Sequence, residues 1–266
     1  MKKINKLVEM ELSKEEILTK FEAYEVYKVI KNANPNIKQE IKKFRRELTS
    51  GLSKHDRVSG VWFLNTYKKI LEARSNVVTL ESFEIAYETK DKEFIARKLI
   101  AHYSNYGIAV GAVLGSSGGI FGFLTATYAT FGETACLAYF QLCLLYDLSV
   151  LYERPLDKAN NLEVYKLLRA SLDISDIDIS TNKVDKMVDK GSKLIEEKLY
   201  KNDIYVLQGL IKNIGAALVR KMSKNLIAKV VPLVGVLSGP LVCITEDYKI
   251  IKSVGKRTHK IYNSHN

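Results

Sequence analysis

Four carboxylates stand in unusually apolar surroundings: Glu133, Asp147, Glu246 and Asp247. A carboxylate there must find a cation or a hydrogen-bond donor, or give up its charge by a shifted pKa. Two that converge would suit general acid–base work of the hydrolase kind. Glu133 and Asp147 are the only charged residues of 133–152. Fourteen apart, they fall near one face of a helix. The simpler expectation is a helix-capping Glu133 and an Asp147 at the wet end.

Other catalytic constellations are missing. Gly255-Lys256-Arg257-Thr258 is not a phosphate-binding loop, since Ile250 stands where its first glycine belongs and Arg257 where Ser or Thr belongs. His55, His102, His259 and His265 show no HExxH spacing and no cysteine partners, so no zinc and no other cofactor is expected. His102 admits a proton-shuttle role, although a lone histidine at such a boundary is more often incidental. Counted from Asp176, the acidic run around Asp178 begins like a calcium loop, but Thr181 replaces its glycine and Met187 its last glutamate. Cys136 and Cys143 are seven apart on one helix, too far for a disulfide. With Cys243 they read as buried hydrophobes in a reducing compartment.

The elements that must position these groups are helical. The chain has 266 residues, 47% hydrophobic, with four prolines and no sustained alternating apolar pattern. Both features predict an all-α protein, a helical bundle. Its centre is a stretch with no charge between Tyr103 and Glu133. Gly107, Gly111, Gly115 and Gly119 recur every four residues there, with Gly122 beyond. Residues four apart share a helix face, so these glycines form a ridge on which another backbone can lie. The run is long enough to cross a bilayer, and the ridge would then be a packing seam in lipid. It equally suits a buried apolar hairpin turning at Ser116-Ser117-Gly118-Gly119. A second, shorter apolar segment, Val230–Thr245, carries Pro232, Gly235, Gly239 and Pro240 and is bracketed by cations: Lys221, Lys224 and Lys229 before it, Lys249, Lys252, Lys256, Arg257 and Lys260 after it.

The remaining chain divides into helices. Ser13 with Glu16 predicts a capped helix to about Asn32. Asn34-Pro35-Asn36 breaks it. A basic helix follows through Ile37, Ile41, Phe44 and Leu48, then helices at Val61–Arg74, Leu80–Ile100, Glu133–Tyr152, Leu162–Leu172, Lys183–Lys201 and Ile204–Lys221. Residues 1–75 read as an N-terminal helical extension and 76–266 as the main domain. The net charge of +11 favours an anionic partner. No nucleic-acid motif is present, which leaves an anionic lipid membrane or a membrane protein. Self-association through the ridge is a further expectation. Met1-Lys2-Lys3 opens no apolar signal core, so the reading is a cytoplasmic chain at the inner face of a membrane, integral if 103–152 is inserted.

Several of these features together resemble the EcsC family of bacterial proteins. They are the uncharged glycine-rich stretch Gly107–Gly122, the acidic Glu133 opening the next apolar helix, and the turn Leu151-Tyr152-Glu153-Arg154-Pro155-Leu156-Asp157. To these add Lys229-Val230-Val231-Pro232-Leu233-Val234-Gly235 with Gly239, then the apolar–basic helix Ile250–Tyr262. The resemblance spans about residues 80–262. Glu133 stands where the family pattern has Asp, Glu153-Arg154 where it has glycine after the tyrosine, and Cys243 where it often has Asn. A hydrolase role has sometimes been suggested for that family, and the resemblance transfers no catalytic residue; the first expectation is a non-enzymatic, membrane-associated helical protein of this type. A hydrolase with carboxylates between the two glycine segments, and a glycine-zipper membrane-active toxin or immunity factor, are the competing expectations.

Overall fold

A computed structural model describes residues 36–113, 126–174, 197–201, 203–230 and 239–264. The described residues form an all-α bundle with no strand. The expected helix at 13–32, the turn at 116–119, most of 183–201, and Gly115, Gly119, Gly122, Pro232 and Gly235 lie outside them.

The first helix of the described residues, α1 (Ile37–Thr49), starts after Asn36. The next, α2 (Lys54–Ser59), starts with a reciprocal cap between Ser53 and Asp56. It ends at Gly60, whose φ of 77° lies in the left-handed region. From that residue α3 (Val61–Arg74) sets out. A capping box of Thr79 and Ser82 starts α4 (Leu80–Tyr87). One helix was expected over Leu80–Ile100, but two are found. The chain turns at Glu88, φ 52°, and restarts because the Asp91 carboxylate accepts the backbone N–H groups of Glu93 and Phe94. The restarted helix is α5 (Lys92–Val113).

The longest apolar element, α6 (Ala126–Leu151), begins well before the expected Glu133. The Asn160 side chain caps α7 (Asn161–Ser171). Asp203 accepts from the N–H groups of Tyr205 and Val206 at the start of α8 (Ile204–Val230), which runs past the expected Lys221. The last helix, α9 (Gly239–Asn263), begins inside the second apolar segment and carries Pro240 in its first turn, where a missing N–H costs nothing.

The middle of the bundle is α6, which touches α1, α3, α4, α5, α8 and α9. The segment Phe131–Leu151 is long and apolar enough to cross a membrane, and 94% of it is buried inside the protein. A protein interior therefore accounts for its apolarity without lipid. The core runs unbroken from Ile41 and Trp62 to Val254 and Tyr262, so α1 and α3 share it with the later helices.

The closest partners are α5 and α9. They run antiparallel. Glu93 meets Asn263, Ile100 meets Gly255, and Gly107 meets Asp247. Each helix offers a glycine to the other. A Cβ on Gly107 would come within 2.6 Å of the Asp247 carbonyl oxygen, and one on Gly255 within 2.7 Å of Ile100. Within the described residues, the start of the glycine ridge is a seat for α9.

Candidate functional site

Asp147 is not at a wet end. It is 2% exposed, on the bundle-facing side of α6. Arg74, the last residue of α3, brings its guanidinium to it. Nη2 lies 2.6 Å from both carboxylate oxygens, and Nε is 2.9 Å from Oδ1. Tyr103 of α5 donates its hydroxyl to Oδ2 at 2.6 Å and accepts from Arg74 Nη2 at 3.0 Å. Three helices are thus tied at one carboxylate. Burial pushes the Asp147 carboxyl up, and Arg74 and Tyr103 hold it down against that push. Burial also works against the Arg74 charge, yet the adjacent carboxylate raises its pKa above the ordinary value. Burial and Asp147 push the Tyr103 hydroxyl well above its usual range, so it stays a donor. The closed ring of partners makes this a structural lock and leaves no base free to take a substrate's proton.

Glu133 sits inside α6, not at its start, and is 2% exposed. Asp247, on α9, is fully buried. Both carboxylates lie near Cys136 and push its thiol upward, while Arg45 of α1 pulls it down. The Arg45 stem packs directly over Gly132. Glu246 points the other way, half-exposed, with Lys249 at 3.5 Å. Glu133 and Asp247 are thus both buried, Glu246 pairs with Lys249, and Asp147 is held by Arg74 and Tyr103.

The cysteines fit their expected role. Cys136 and Cys143 are buried and free. Burial first, then nearby carboxylates, pushes each thiol from 9.0 up to about 12. Such thiols stay protonated and unreactive at neutral pH. In the unfolded chain they ionise near pH 9, so stability from both is complete below pH 9 and is lost as pH rises toward 12. The loss is about 1.4 kcal/mol per pH unit for each thiol. In a Cys243→Ser background, an uncharged thiol reagent at pH 8 is expected to label neither cysteine until denaturant is added. Labelling of the native protein at the denatured rate would refute this account.

A second polar chain joins α5, α6 and α9 at the surface. Glu93 Oε2 lies 3.0 Å from His259 Nε2, and His259 Nδ1 lies 2.6 Å from the Tyr152 hydroxyl. With Nε2–H directed to the carboxylate, Nδ1 accepts from the phenol. The order carboxylate–imidazole–hydroxyl resembles a nucleophile relay. Its hydroxyl is not activated: burial, then Glu93, pushes Tyr152 up to about 12. Tyr262 stacks on Tyr152 at 5.2 Å, and Lys92 pairs with Glu153 beside them. His102 is exposed, edge-on to Tyr103 and Tyr106, and takes no part.

No group of three or more His, Cys, Asp or Glu among the described residues is placed to hold a metal ion. Arg74, Tyr103 and Arg45 were not singled out from sequence. The need of Asp147 for a cation was the one available signal, and nothing local pointed 73 residues upstream to Arg74.

No family model matches the chain, and neither does any curated protein or solved structure.

Proposed function

We propose that this chain is a non-enzymatic helical protein of the EcsC type that docks on an anionic membrane surface, or on a membrane protein there, through its exposed basic helix faces. One observation carries the reading. The apolar side of α1 is spent inside the bundle, with Ile41 buried and Phe44 packed on Tyr139 and Phe140. Its outer side presents Lys38, Lys43 and Arg46, all exposed. The protein cover over Phe131–Leu151 supports a peripheral contact with lipid. The closed partner sets of Asp147 and the high thiol pKa values favour this over a hydrolase.

Flotation with vesicles tests it. The protein should bind vesicles containing phosphatidylglycerol and ignore pure phosphatidylcholine, and added salt should release it. Each Lys or Arg near such a surface contributes about 1 kcal/mol. The triple variant Lys38→Gln, Lys43→Gln, Arg46→Gln should therefore bind on the order of a hundredfold more weakly. Equal binding to neutral vesicles, or an unchanged triple variant with native circular dichroism, would refute the proposal.

A further inference from the structure

A cleft of about 130 Å³ opens where α6, α8, α9 and the residues after α7 meet. Its floor is aliphatic, and its walls carry Gln141, Asp173, Lys221, Ser253 and Arg257. Drug-sized and cofactor pockets run to roughly 300–1,000 Å³, so this one suits a single chemical group.

The wall side chains are held in place by hydrogen bonds. Lys221 Nζ reaches the Asp173 carbonyl oxygen at 2.5 Å and its carboxylate at 2.7 Å. Arg257 Nε donates to the Ser171 carbonyl at 2.8 Å. That bond orients the guanidinium and leaves its two Nη groups without a hydrogen-bond partner among the described residues. Ser253 gives its proton to the Ile250 carbonyl at 2.9 Å. Two cations face one carboxylate, so one positive charge is in excess.

Gln141 is the unexplained group. It is 2% exposed and lines the cleft. Its Oε1 is buried with no hydrogen-bond partner among the described residues, a cost to the fold, while its N–H groups are left for a ligand. A polar side chain kept in an apolar wall, beside a forked cation with free donors, describes half of a binding site.

We propose that this cleft binds one oxyanion, a phosphate or carboxylate group, with the Arg257 Nη groups and the Gln141 amide donating to it and Lys221 supplying charge. Guanidinium forks match the oxygen spacing of both groups.

Inorganic phosphate and acetate are the probes, compared with chloride at equal ionic strength. Phosphate is expected to raise the Tm of the full chain in a saturable way. In Arg257→Gln the apparent affinity should fall about tenfold or more, the loss of one charge-assisted pair. Gln141→Leu keeps the core filled, so it should unfold no earlier than wild type without phosphate and yet bind phosphate more weakly. Binding to phosphatidylglycerol vesicles separates the two sources of the anion. A loss of vesicle binding in Arg257→Gln assigns the cleft to a lipid headgroup, and unchanged vesicle binding assigns it to a free anion. The α1 triple variant should keep its full phosphate response, so this site and the membrane reading fail separately. No gain over chloride in the wild type, or equal gains in wild type and both variants, would overturn the proposal.

Discussion

Asp147→Ala should lower the unfolding free energy by about 3–5 kcal/mol, the usual cost of stranding one partner of a buried ion pair. The Arg74 side chain is only 24% exposed and directs Nε and Nη2 to the Asp147 oxygens and Tyr103. Removing the carboxylate leaves a half-buried guanidinium and the Tyr103 hydroxyl without their acceptor. Urea unfolding measures the effect as a fall in midpoint at constant slope. For a chain of this size the same loss lowers the Tm by on the order of 10 °C. Arg74→Met with Asp147→Leu should recover most of the stability, because an apolar pair strands nothing. A single variant within about 0.5 kcal/mol of wild type would show that the three-helix lock contributes little.

The second large effect is expected at Gly60→Ala, about 2–5 kcal/mol. Two costs add. The residue sits at φ 77°, where a Cβ costs roughly 1–2 kcal/mol. The added Cβ would also overlap the Lys212 carbonyl oxygen and come within 2.8 Å of the Ala216 nitrogen, both backbone atoms of α8. Backbone cannot swing aside as a side chain can, so α3 and α8 must part. Gly215 on α8 is the reciprocal seat, with Phe63 and the Gly60 carbonyl against it. Gly51 supplies the control. Its φ is 73°, but nothing lies within 4 Å of the Cβ it would gain, so Gly51→Ala should show the conformational cost alone. Equal losses at the two positions would refute the close crossing of α3 and α8.

These two sites also show what the sequence could and could not convey. The all-α class followed from period and composition, and the helix expected around Val61–Arg74 is found there. The break between α4 and α5 was hidden, since Glu88 is a poor signal for a left-handed turn and Asp91 is one acid among several. Glu133 and Asp147 were legible as anomalies but not as structures. Their roles depend on residues brought from α1, α3, α5 and α9, and the spacing within α6 carries none of that. The glycine spacing gave the right kind of object, a backbone seat, at Gly107. Gly60, Gly215 and Gly255 do the same work with no spacing to mark them.

The antiparallel α5–α9 pair bears on how the chain comes off the ribosome. Gly107 and Asp247 are roughly 140 residues apart, and synthesis at about 5–20 residues per second puts on the order of 10 s between them. During that interval α5 has no α9 to lie on. Its bare apolar flank, with Ile108 and Val110 fully buried in the finished protein, faces the solvent. Contacts of such long range form late and slowly. Truncation ahead of α9 should therefore send the chain into aggregates, not merely shorten the bundle.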